Sequence, residues 1–128
     1  TASSSQREGM ARREVSGNLL KEMERRPDLS HVTPIRPVAG AVPGFLRLPV
    51  LLAYQGPLPR EARALGVTRG YPRILPDLPA MAPLHVNAGA EYPGARRLVE
   101  ELMTVPTHRF VTPSVRAQLL SVLAGLVD

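Results

Sequence analysis

The sequence predicts an α+β fold: a small three-stranded sheet, mixed or antiparallel, with helices packed on it. Three observations carry that expectation. Apolar residues recur at helical spacing near both ends of the chain, with short apolar runs between them. The 14 prolines divide the middle into pieces too short for a long element. The 128 residues are the size of one domain and can bury a modest core. Aromatic residues are only 4% and tryptophan is absent, so that core has to be built from Leu, Val, Ala and Met.

Residues 1–9 are polar and read as a disordered tail. From Met10 to Arg26 the pattern is helical. Val15, Leu19 and Met23 recur every four residues with Leu20 beside them, while Arg12, Arg13, Glu22, Arg25 and Arg26 face outward. Pro27 ends this helix. An apolar stripe so narrow has to pack on something, and the expected partner is a domain outside this chain. Residues 27–44 carry repeated Pro and Gly and form an extended connector. Residues 45–128 then make up the domain proper.

Phe45–Ala53 is the best strand candidate, with Pro49 arguing for an edge position or a bulge. Pro57 and Pro59 open a short helix that Gly66 terminates. Gly66–Tyr71 is a second short strand. Pro72–Tyr92 is a long proline-rich loop, of the kind that is often functional or contacts another domain. Pro93 starts a helix carrying Leu98, Val99 and Leu102, with Arg96–Glu100 and Arg97–Glu101 spaced for surface ion pairs. Leu102–Thr107 is a third strand. Thr112 caps the last helix, Pro113 occupies its first position, and Val115, Leu119, Val122, Leu123 and Leu126 form its stripe.

The composition limits the chemistry. The net charge of +5 comes almost entirely from arginine, since Lys21 is the one lysine. Arginine suits phosphates and carboxylates, but these arginines are spread along the chain without interleaved aromatics or a reading helix, so nucleic acid is disfavoured. Cysteine is absent, which removes disulfides, thiolate metal sites and cysteine nucleophiles and fits a cytoplasmic protein. No apolar run approaches the ~20 residues that cross a membrane, and there is no signal-peptide core. His31, His85 and His108 are far apart and suggest no metal site. Ser114 and Ser121 lack a nucleophile turn, and no glycine-rich phosphate loop exists. Lys21 stands among charges on a surface face, unlike a Schiff-base lysine in a dry pocket. No catalytic residue is assigned. The chain opens on Thr1 rather than methionine and reads as a fragment or a trimmed chain.

Four blocks in order resemble the C-terminal small domain of the DegT/DnrJ/EryC1/StrS family, pyridoxal-phosphate-dependent aminotransferases that act mostly on nucleotide-linked keto-sugars. They are FLRLPVLL (Phe45–Leu52), REARALGVTRGYP (Arg60–Pro72), YPGARRLVEELMTVPTH (Tyr92–His108) and VTPSVRAQLLSVL (Val111–Leu123). The resemblance makes Met10–Arg26 the helix linking two domains. It implies that pyridoxal phosphate, its lysine and its phosphate-binding groups belong to a large N-terminal domain outside this chain. The chain would form one wall of the active-site cleft, near a homodimer partner, and would not transaminate alone. In many relatives a His-Tyr pair lies in the cleft loop, where this chain has Gly70-Tyr71 followed by Pro72-Arg73. The resemblance makes Arg69, Tyr71 and Arg73 the candidate contacts to an anionic nucleotide-sugar or a cofactor phosphate. His108 is expected to be structural, tying the strand end to the last helix. Two other expectations stand beside this one: a basic module binding RNA or another polyanion, and a protein-interaction domain without chemistry. The aminotransferase reading predicts an exposed apolar face built partly from Val15, Leu19 and Met23.

Overall fold

The computed structural model describes residues 2–87 and 89–128. Four helices, α1 (Ser4–Arg25), α2 (Arg60–Ala64), α3 (Pro93–Glu101) and α4 (Pro113–Gly125), accompany four strands, β1 (Thr33–Pro34), β2 (Arg47–Leu51), β3 (Thr68–Arg69) and β4 (Leu102–Pro106). The strands form one antiparallel sheet in the order β1-β2-β4-β3. The α+β class is as expected, with one strand more than the sequence indicates. The extra strand, β1, falls inside the proline-rich connector, where two residues carry no period to detect.

The centre of the sheet is the β2–β4 pair, in which Leu48 faces Val105 and Val50 faces Met103. These four residues are completely buried. They alternate with half-buried Arg47, Pro49, Leu51, Leu102 and Thr104 on the opposite face, as a period of two requires. Leu19 and Met23 of α1, Ala62 of α2, and Leu119, Leu120 and Leu123 of α4 complete the same core.

Pro49 is not at an edge, because β2 lies between β1 and β4. Its carbonyl accepts the Ile35 N–H at 3.0 Å, on the β1 flank. In an antiparallel strand a residue's N–H and C=O point the same way. The missing donor therefore faces the flank where β1 has already ended, and the β2–β4 ladder stays intact.

α1 begins at Ser4 rather than near Met10. Ser3 and Gln6 form a reciprocal capping box, with the Ser3 N–H donating to Gln6 Oε1 at 2.8 Å and the Gln6 N–H to Ser3 Oγ at 3.2 Å. That cap offsets the polarity of a segment with no apolar period. The larger difference concerns the stripe of α1. Leu19 is fully buried and Met23 is only 6% exposed, both against this chain's own sheet and α4. Arg116 of α4 adds an ion pair to Glu22 at 2.9 Å. Val15, Leu19 and Met23 thus do not form the exposed docking face that the sequence suggested.

Candidate functional site

Two residues past the end of α2 stands Gly66, whose φ of +90° is a left-handed turn that glycine takes without strain. The chain then enters β3 and reaches Gly70. The Gly70 N–H donates to the Leu102 carbonyl at 2.8 Å, extending the ladder with β4. A Cβ at Gly70 would stand 2.7 Å from the Leu102 side chain, which explains glycine there. Beyond it, Tyr71 and Arg73 emerge into solvent, Tyr71 being 66% exposed.

Tyr71 and Arg73 line one groove together with Ile74, Leu75, Leu98 and Val99. Its floor is Ile74, buried to 5% exposure, while Leu75 and Leu98 remain open at its sides. α3 supplies Leu98 and Val99 and has no buried residue of its own, so it lies at the surface of the chain. The loop from Pro72 onward is shaped by two 3-10 turns, Leu75–Asp77 and Pro79–Leu84. Arg96 clamps that loop to α3 through Asp77 at 3.0 Å. It does so in place of the expected pair with Glu100, whereas Arg97 does meet Glu101, at 2.9 Å. Tyr92 precedes Pro93 in a left-handed conformation, φ 49°, with its hydroxyl 3.2 Å from His85 Nε2.

The three sequence-predicted contacts are therefore divided. Arg69 is half-buried on β3, and its Nη2 donates to the carbonyls of Tyr54 at 2.8 Å and Gly56 at 2.5 Å. It fastens the turn after β2 and does not line the groove. Tyr71 and Arg73 do line it, and Arg73 has no ion-pair partner among the described residues. Sequence reasoning missed Ile74, Leu75, Leu98 and Val99 as groove residues, although Leu98 and Val99 were visible as the apolar face of their helix.

Other candidates have structural positions. His31 Nε2 contacts the Leu123 carbonyl at 3.0 Å. His108 lies in the turn between β4 and α4, where its carbonyl accepts the Val111 N–H at 3.0 Å, and among the described residues its buried Nδ1 has no hydrogen-bond partner. Among the described residues no three His, Cys, Asp or Glu side chains converge as a metal site would need, and no helix is long and apolar enough to cross a membrane.

No protein-family model matches the chain, and no curated protein does. Solved structures do. A DegT DnrJ EryC1 StrS aminotransferase from Brucella abortus matches 94% of this chain and 31% of its own, with a TM-score of 0.75 and 16% identity. DesV from S. venezuelae, in complex with a ketimine intermediate, matches 94% of this chain and 33% of its own, at 0.72 and 15%. The aminotransferase TlmJ from Streptoalloteichus hindustanus matches 93% and 31%, at 0.62 and 19%. This chain has the fold of the C-terminal part of such aminotransferases. It spans about a third of their length. Lys21, the one lysine, is exposed on α1 and does not line the Tyr71 groove.

Proposed function

We propose that the chain is the C-terminal part of a pyridoxal-phosphate-dependent aminotransferase acting on a nucleotide-linked sugar. It forms one wall of the active-site cleft and is not catalytic alone. The observation that supports this is the surface groove along α3, in a chain whose fold follows about a third of a longer aminotransferase. In this reading Arg73 meets a phosphate of the substrate, with the charge-assisted hydrogen bonds that guanidinium groups favour. Tyr71 packs against its sugar or base, and Arg69 holds the turn behind them. The large domain and a homodimer partner supply the cofactor site, in the cytoplasm.

The test uses the polypeptide extended upstream to the length of its structural neighbours. It is expected to bind pyridoxal phosphate and to transfer an amino group to a nucleotide-linked keto-sugar. Arg73→Ala should raise KM about tenfold, equivalent to about 1.4 kcal/mol, with a smaller change in kcat. An extended polypeptide that takes up no pyridoxal phosphate refutes the aminotransferase reading. An unchanged KM refutes the contact assigned to Arg73.

One observation favours the second reading, a stand-alone binding or protein-interaction module without enzymatic activity. The stripe of α1 is consumed inside this chain, which leaves a closed core. That reading predicts a stable complex with a protein partner, formed by these 128 residues without pyridoxal phosphate.

A further inference from the structure

An apolar surface lies where the connector folds over the start of β2. Four aliphatic residues stand out of it: Val38 is 79% exposed, Val42 and Leu46 77% each, and Ile35 38%. Val38 and Val42 flank a tight turn, closed by the Ala41 N–H donating to the Val38 carbonyl at 3.1 Å. The same stretch bounds a groove of about 300 Å3, lined by Ile35, Pro37, Pro43, Phe45, Leu46 and Pro49. A single exposed aliphatic residue needs no partner, whereas several beside an apolar groove mark an interaction site.

An independent observation concerns the backbone at this surface. Phe45 adopts φ 46°, the left-handed region, which is unfavourable for a bulky side chain. The buried Thr107 hydroxyl donates to the Phe45 carbonyl at 2.5 Å, and Arg12 Nη1 donates to the Leu46 carbonyl at 2.8 Å. These bonds, from the residue after β4 and from α1, hold the strained turn while the Leu46 side chain stays in solvent. Strain persists where its surroundings over-determine it, and it concentrates at functional positions.

Charge selects what covers the surface. Arg36 is paired with Glu24 at 2.6 Å, and Arg12 with Glu8 at 3.1 Å. The Arg47 guanidinium is carried across β4 to Thr104 and Gly66, so its charge lies away from the groove. The whole chain has a net charge of +5. Arg60 and Arg63 on α2 and Arg73 at the α3 groove have no ion-pair partner among the described residues. Two copies repel each other across those cations and meet without repulsion across the connector. An acidic protein or a polyanion would be drawn to the unpaired arginines instead.

We propose that this surface pairs with the same surface of a second copy of the chain. A patch in a two-fold contact has to complement itself, and this one carries both a knob and a groove. Val38 and Val42 of each copy enter the groove of the other, with Leu46 packed beside them. The pairing is a property of these 128 residues and stands or falls apart from the aminotransferase reading.

Sedimentation of the 128-residue chain in the analytical ultracentrifuge should show a reversible monomer–dimer equilibrium. Leu46→Glu puts an unpaired charge into each half of the contact and should weaken the dimer at least ~100-fold. Its Tm should not change, because Leu46 is exposed in the single chain. Should that variant unfold, Val42→Glu decides by the same loss. Val86→Glu, at an exposed residue outside the surface, should leave the dimer intact. A chain still monomeric at about 1 mM would mean that upstream polypeptide or another protein covers the surface, and would overturn the proposal. A dimer that survives either connector substitution, or that Val86→Glu weakens equally, would overturn it too.

Discussion

Replacing Leu19 by alanine tests whether α1 belongs to this domain or to another. Leu19 is fully buried and belongs to the cluster containing Leu48, Val50, Met103 and Leu119. Losing three buried carbons forfeits about 2.4 kcal/mol of transfer free energy, at about 0.8 kcal/mol per methylene. The cavity left between α1, α4 and the sheet adds to that, and measured Leu→Ala costs span about 2–5 kcal/mol. About 3 kcal/mol is expected here. That is a large share of the roughly 5–15 kcal/mol that stabilises a domain. It corresponds to a fall in Tm of roughly 10 °C and a urea midpoint lower by about 1.5 M. Circular dichroism during heating and urea titration measures both. Met10→Ala on the same helix is the control: Met10 is 59% exposed, and a change within about 0.5 kcal/mol is expected. A loss under about 1 kcal/mol for Leu19→Ala would refute the reasoning. It would mean that α1 does not pack on this core and is free to serve a neighbouring domain.

Two further substitutions probe polar groups. Among the described residues the buried Ser16 hydroxyl has no hydrogen-bond partner, so Ser16→Ala should stabilise the chain by about 1 kcal/mol in the same urea titration, because it removes an unsatisfied group and improves helix propensity; a destabilised variant would mean that the hydroxyl has a partner. The hydrogen bond from Arg26, at 2.6 Å, lowers the pKa of the Asp28 carboxyl. A depressed folded-state pKa contributes stability above the unfolded pKa, and the contribution is lost as pH falls through the folded value; Asp28→Asn should flatten the acid limb of the stability curve, and a carboxyl resonance titrating at the ordinary aspartate pH would contradict the pairing.

The parts of the fold legible in the sequence are those whose signal is periodic or covalent. α4 announces itself through Thr112-Pro113 and a stripe that the structure buries at Leu119, Leu123 and Leu126. β2 and β4 are visible as apolar runs, and α3 through Pro93. β1 was not legible, because its two residues pair through backbone geometry set by a distant strand. The start of α1 depended on a capping box in a stretch without apolar residues. The destination of its stripe was misread for a different reason: spacing says which face is apolar and nothing about which surface covers it. The same limit applies at the groove. Tyr71 and Arg73 follow from the resemblance, but the diversion of Arg69 to the Tyr54 and Gly56 carbonyls is a tertiary fact. Pairing Leu75 with Leu98 across the groove likewise requires the fold.

Pro49 has a consequence for how this chain behaves among other chains. A strand edge normally offers alternate donors and acceptors to any passing strand, and so invites self-association. On the β1 side of β2 the carbonyl of Pro49 is already taken by Ile35, and no donor stands beside it. A foreign strand sliding in place of the connector would find a gap in its ladder at that residue. The proline thereby makes this flank a poorer template for a foreign strand, a safeguard that costs the β2–β4 pair no hydrogen bond.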